Sequence, residues 1–247
     1  MSPSITRDHL TLQVAGVHLK GDLALPPRAH ALVVFAHGSG CNRKSPRARD
    51  VARALERAGF GTLLLDLLTA DEETAEHEAM ARDFEVEALA SRLVGATDWL
   101  MARPSLRRLS LAYFGAGTGA AVALTAAAGR PSVVRAMVSQ AGRTDLAAAA
   151  LGRVESPTLL IVGSEDPVGL EQGRAALSAL HCECGLARIA GASQLFVEAG
   201  SLERVAALAS EWFEHHLPRQ GAAPMSWGPG GPAHCESFRL AHRAHGP

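Results

Sequence analysis

Residues 113–120 read Tyr-Phe-Gly-Ala-Gly-Thr-Gly-Ala, where an apolar run breaks into alternating glycines and then enters an alanine-rich stretch. The run before it, RLSLAYFG (108–115), has no polar alternation and suits a strand buried on both faces of a parallel sheet. The stretch after it, 118–128, is predicted as helix. A strand passing at once into a helix through Gly115-Ala116-Gly117-Thr118-Gly119 has the form of a nucleophile elbow, G-x-S-x-G. In such an elbow a sharp turn lifts one side chain above the sheet, and small flanking residues let the turn pass close to neighbouring backbones. The lifted position here is Gly117.

Working outward, the same kind of apolar run recurs at 31–38 (ALVVFAHG), 61–68 (GTLLLDLL), 133–140 (VVRAMVSQ) and 157–164 (PTLLIVGS). Helical patterns lie between them. Ser45-Pro46 reads as the N-cap and first residue of a helix through Ala58, stopped by Gly59. Further helices are predicted near 83–102, 168–180 and 201–217. Residues 9–25 alternate apolar and polar about Gly16, the mark of a β-hairpin. Strands alternating with helices imply right-handed crossovers, hence an α/β fold with a doubly wound, mostly parallel sheet and an N-terminal hairpin. One domain is expected over 1–217. Residues 218–247 are rich in Gly and Pro and read as a mobile tail, with a lid or bridging arm carrying Trp227, Phe238 and Leu240 as the alternative.

The 247 residues are 47% hydrophobic and 20% charged, enough apolar material for a sizeable core. Lys plus Arg (24) balances Asp plus Glu (25), which argues against a nucleic-acid partner. No apolar run approaches a membrane span, and the first residues lack the apolar core of a secretory signal, so the expected location is the cytoplasm and no membrane partner is expected. Four cysteines (Cys41, Cys182, Cys184, Cys235) are too few for a disulfide framework.

Three loops flank the elbow in order. His37-Gly38-Ser39-Gly40 ends a strand, where an oxyanion loop is expected; Gly163-Ser164-Glu165-Asp166 ends a later one, where a triad acid is expected. Gly191-Ala192-Ser193-Gln194-Leu195-Phe196 precedes the last helix, where a triad histidine is expected. With HGSGCNRKSPRARDVARAL, LLLDLLTADEE, YFGAGTGAA and PTLLIVGSEDPV, residues 9–217 resemble the dienelactone-hydrolase-like branch of the α/β-hydrolase superfamily. That resemblance implies an α/β-hydrolase fold and hydrolysis of small esters, lactones or related acyl compounds by a Ser- or Cys-His-Asp triad. The chain departs from that pattern at two positions. Gly117 stands where the nucleophile belongs and Gln194 where the histidine belongs; Asp166 alone matches its family role.

Glycine has no atom with which to attack a carbonyl, and a glutamine amide is not basic near neutral pH. What remains is an oxyanion site, with the Thr118 N–H at a helix start and a second donor from Ser39 or Gly40. A water beside Gly117, oriented by Asp166 directly or through Gln194, would be the nucleophile. The expected cofactor is none. One alternative is a metal ion held among His37, Cys41, Asp145 and Asp166, whose spacing matches no known metal motif. Another is Cys41 as a relocated nucleophile paired with His37, against the plainer reading of a buried inert thiol. His181-Cys182-Glu183-Cys184 reads as an edge strand or turn rather than a zinc site, and His215-His216 as a cap on the last helix. Arg43, Lys44, Arg47 and Arg49 form a basic cluster, read as a solvated helix start or as a lure for an anionic substrate. Two functions stay open: a hydrolase without an ordinary triad, and a non-catalytic pocket that binds a small ligand or a protein.

Overall fold

The hairpin comes first. Strands β1 (Thr6–Val14) and β2 (Val17–Leu25) pair antiparallel from Thr6↔Leu25 to Val14↔Val17. Their two-residue loop, Ala15 and Gly16, has positive φ at both positions, the form whose twist matches that of the flanking strands. The computed structural model describes residues 4–37, 41–78, 86–219 and 235–239. After the hairpin come β3 (Ala31–Ala36), α1 (Pro46–Arg57), β4 (Gly61–Leu65), α2 (Ala70–Glu78), α3 (Val86–Met101), β5 (Ser110–Ala116) and α4 (Thr118–Gly129). Then follow β6 (Val134–Gln140), a 3-10 turn (Thr144–Ala147), α5 (Ala148–Leu151), β7 (Thr158–Gly163), α6 (Pro167–Ala179), β8 (Cys184–Ile189), α7 (Ser201–His216) and β9 (Cys235–Arg239).

Among the described residues the sheet order is β1-β2-β4-β3-β5-β6-β7-β8-β9. From β4 to β8 every pairing is parallel; the hairpin at one end and β9 at the other are antiparallel. Residues 235–239 thus lie in the sheet, where a mobile tail was expected over 218–247; the ladder along β8 holds them despite the Gly- and Pro-rich sequence before them. The flanking residues of that segment, with Trp227 and Leu240, lie outside the described residues. No helix in the described part is long and apolar enough to cross a membrane.

The uninterrupted apolar runs are explained by burial on two faces. In β3, Leu32, Val34 and Ala36 join a core with α3 and α4, while Ala31, Val33 and Phe35 join a second core with α1 and α7. Strand β5 divides likewise, Tyr113 to one side and Phe114 to the other. The Tyr113 hydroxyl, fully buried, finds its partner 2.5 Å away in Thr97 Oγ1. Pro46 opens α1 as predicted, yet Ser45 makes no side-chain cap bond. The charge-rich helix α2 and the short α5 were not foreseen.

Candidate active site

The turn between β5 and α4 lies at the carboxyl edge of the sheet. Gly117 has φ 56° and ψ −127°, a conformation that L side chains rarely adopt. Its N–H donates to the Gln140 carbonyl (3.1 Å), and its own carbonyl accepts from Ala120 N (3.2 Å) and Arg143 N (3.0 Å). Two residues earlier, a Cβ on Gly115 would stand 2.5 Å from the Ala120 Cα, so the close passage of strand and helix requires glycine. At Gly117 a Cβ would meet nothing within 4 Å. Space for a side chain is present and the side chain is not. Thr118 follows as the first residue of α4, at the positive end of its dipole.

One strand over, His37 follows β3 and is buried. Its Nε2 is shut off from solvent with no hydrogen-bond partner among the described residues. Burial pushes its pKa down to about 4, against a smaller upward pull from Asp66, so the imidazole is neutral at neutral pH. Ser39 and Gly40, expected to supply an oxyanion donor, lie outside the described residues. The Cys41 thiol is exposed, not buried as expected, because residues 41–45 form a loop over the strand ends rather than core. The basic cluster is largely consumed: Arg43 binds Asp66 and Asp22, and Arg49 binds Asp22. Arg47 alone of the cluster reaches the crevice, its Nη1 donating to the Leu195 carbonyl (2.9 Å).

Asp166 has a different occupation from the one expected. It is the N-cap of α6, with Oδ1 accepting from Gly169 N at 2.9 Å and Pro167 as the first helical residue. Its loop is stitched to the Gln194 loop: Glu165 N donates to Ala192 O (3.0 Å), and Gly191 N to Ser164 Oγ (2.7 Å). Asp145 stands on the 3-10 turn, exposed and clasped by Arg143 at 2.8 and 2.9 Å, which holds its carboxyl below the usual range. Neither carboxylate lines the crevice.

The crevice itself is a cavity of about 280 Å³. Phe35 and Phe114, stacked at 4.8 Å, form its apolar side; His37, Gly117, Gln140 and Gln194 bring polar groups to it, with Thr118 and Cys41 also in the lining. Two non-glycine residues with positive φ flank it, Ala141 (43°) and Phe196 (50°), so strain gathers where the strand ends converge. Gln140 was missed in the sequence; the polar pair Ser139-Gln140 closing the strand is the signal it offered. A larger depression of about 630 Å³ lies between α1 and the start of α7, lined by charged helix side chains and no group from a strand end. The smaller cavity is therefore the one where chemistry can converge. As for a metal, His37, Cys41, Asp145 and Asp166 form no ligand group. Among the described residues such a group exists only as Glu183, His215 and His216, at the other edge of the sheet.

Residues 19–206 match the family model of the dienelactone hydrolase family. The crystal structure of a dienelactone hydrolase from Anabaena variabilis is 49% identical, with a TM-score of 0.84 over 86% of this chain and 99% of that one. Est1E from Butyrivibrio proteoclasticus shares the fold at 13% identity, TM-score 0.69, covering 85% of this chain and 99% of Est1E. Two Mycobacterium tuberculosis proteins, named as proposed phosphoribosyl transferases, are 49% identical over 212 residues, 85% of this chain. The chain spans 47% of the length of those relatives.

Proposed function

The chain belongs to the dienelactone hydrolase family, and from that premise we propose that its crevice takes a small ester, lactone or related acyl compound and hydrolyses it with a bound water instead of an acyl-enzyme. The observation that carries this reading is the turn at Gly117: an elbow geometry with open space where a nucleophile would stand, facing a neutral imidazole and an amide across one cavity. The substrate's carbonyl oxygen sits at the start of α4, by the Thr118 N–H, where the helix dipole favours developing negative charge. Water in the space above Gly117 attacks the carbonyl carbon, and its proton passes through a second water to the leaving oxygen as the tetrahedral oxyanion collapses and the ester C–O bond breaks. Gln194 orients the water through its amide. Asp166 maintains the α6 cap, in place of the water-orienting role expected of it. Arg47 at the mouth favours an acyl compound that carries a carboxylate. The transferase name belongs to proteins of which this chain matches under half, and the crevice chemistry supports ester hydrolysis.

The loss of both nucleophile and basic side chain at 117 and 194 favours a second reading, a crevice that binds its ligand without turnover. Assay of the full chain on p-nitrophenyl esters and small lactones, with and without EDTA, separates the two. Water-based hydrolysis gives linear turnover above a denatured control, no acyl burst and loss of rate in Gln194→Ala. Pure binding gives ligand-induced thermal stabilisation with no turnover. Loss of rate in Cys41→Ser would assign the chemistry to the exposed thiol, and loss with EDTA to a metal ion.

A further inference from the structure

The amino edge of the sheet carries a cluster that the crevice does not use. Glu183 immediately precedes β8, its carbonyl accepting from Thr158 N at 2.9 Å. Helix α7 ends beside it, with His215 and His216 in the last turn. His216 Nε2 and Glu183 Oε1 stand 3.7 Å apart, on side chains only 8% and 19% exposed. Both atoms are shut off from solvent, and neither has a hydrogen-bond partner among the described residues. One ligand atom from each of Glu183, His215 and His216 can be chosen so that all lie within 4.8 Å of one another. The His216 ring is braced by Trp212, ring centroids 4.3 Å apart, whose Nε1 is bonded to the Pro157 carbonyl.

We infer that Glu183, His215 and His216 form a binding site for a divalent transition metal ion, with Zn²⁺ the best match. Two imidazole nitrogens and one carboxylate oxygen are a donor set that zinc takes, leaving a fourth position for water. Zinc–ligand bonds of about 2.0–2.2 Å put adjacent donor atoms roughly 3.3–3.5 Å apart. The 3.7 Å separation of His216 from Glu183 is too long for a hydrogen bond and close to that spacing, and with all three donors within 4.8 Å, side-chain rotations that draw them in by roughly 1 Å close the site. Ligation takes a neutral imidazole and an ionised carboxylate, so metal binding releases any proton these groups hold. The negative end of the α7 dipole lies beside the ion as well. Bound metal would pin the end of α7 to the start of β8, about 20 Å from the crevice by the length of a six-residue strand. Its effect is on stability and independent of ester turnover.

The test is Zn²⁺ titration of the EDTA-stripped full chain by calorimetry, with thermal melts and Co²⁺ absorption spectra. We expect one equivalent bound, a rise in Tm of several degrees, and visible Co²⁺ bands of imidazole and carboxylate ligation. Glu183→Gln keeps the side-chain shape and should weaken binding at least about 10-fold, as should His216→Gln. His18→Gln, on the exposed hairpin, should leave binding as it is. Absence of saturable binding by roughly 100 µM Zn²⁺, far weaker than structural zinc sites, overturns the inference. So does wild-type affinity in a folded Glu183→Gln variant, because the metal then sits on other histidines.

Discussion

The turns after β5 and β7 make the same move, a parallel strand ending directly in a helix, and they use it in opposite ways. At Asp166 the capping side chain folds back onto the Gly169 N–H, and Pro167 sets the first helical φ. At Gly117 no side chain caps the helix, φ is 56°, and the space above the turn is open. One turn satisfies its helix end internally. The other has no side-chain cap where its helix start lines the crevice, and keeps strained backbone beside it. The contrast teaches that the strained turn at Gly117 needs no side chain of its own, because Gly115 against Ala120 and the bond from Gly117 to Gln140 hold it from below. The carboxylate that family resemblance assigns to catalysis is meanwhile engaged in helix stability.

The largest effect should come from restoring the absent groups. Gly117→Ser with Gln194→His is expected to raise the hydrolysis rate of activated esters about 10³-fold, with an acyl burst that wild type lacks, and each single change should do far less. The Ser carries a strain cost of about 1–3 kcal/mol at this φ, which a thermal melt reads separately. A folded double variant at the wild-type rate would mean that the turn is a scaffold and nothing more. Next comes pH. An unfolded His37 takes up a proton below about 6.5, while the buried one does so only near about 4. The unfolded chain therefore binds more protons in that window, and stability falls as pH drops through it, levelling off below. For one histidine this amounts to about 3 kcal/mol in all, measured as a change in urea midpoint between pH 7 and 4. His37→Gln should flatten that part of the profile, and an unchanged slope would show that the imidazole beside Gly117 is not shut off from solvent. Smaller again is the capped turn. Asp166→Ala should cost about 1–2 kcal/mol, a few degrees in Tm, with little change in ester turnover. If turnover collapsed while the fold held, Asp166 would belong to the chemistry and the contrast between the turns would fail. The smallest is Cys41→Ser, within about 0.5 kcal/mol of wild type because the thiol is exposed, with ester rate unchanged.

Much of this architecture was legible in the residues, for reasons that the exceptions make plain. The apolar runs that become β3, β4, β5, β6 and β7 announce themselves because burial on both faces removes polar alternation. Helix α2, ADEETAEHE, has no apolar face to betray it. Strand β9 is hidden by its Gly- and Pro-rich surroundings, since only the ladder along β8 makes it a strand. Ser45-Pro46 and Asp166-Pro167 show the limit most clearly. Ser45, read as an N-cap, makes no cap bond, and Asp166, read as a catalytic acid, makes one. By itself the sequence determined the fold class, the order of strand-end loops and that 117 carries no side chain and 194 an amide. These depend on local pattern and on which atoms a residue possesses. Tertiary structure alone decided that Asp166 turns into its helix, that Cys41 faces solvent, that Arg47 reaches the crevice and that Glu183 meets His216. Each of those outcomes depends on where a side chain's distant neighbours lie, and residue identity does not encode that separately from the packed fold.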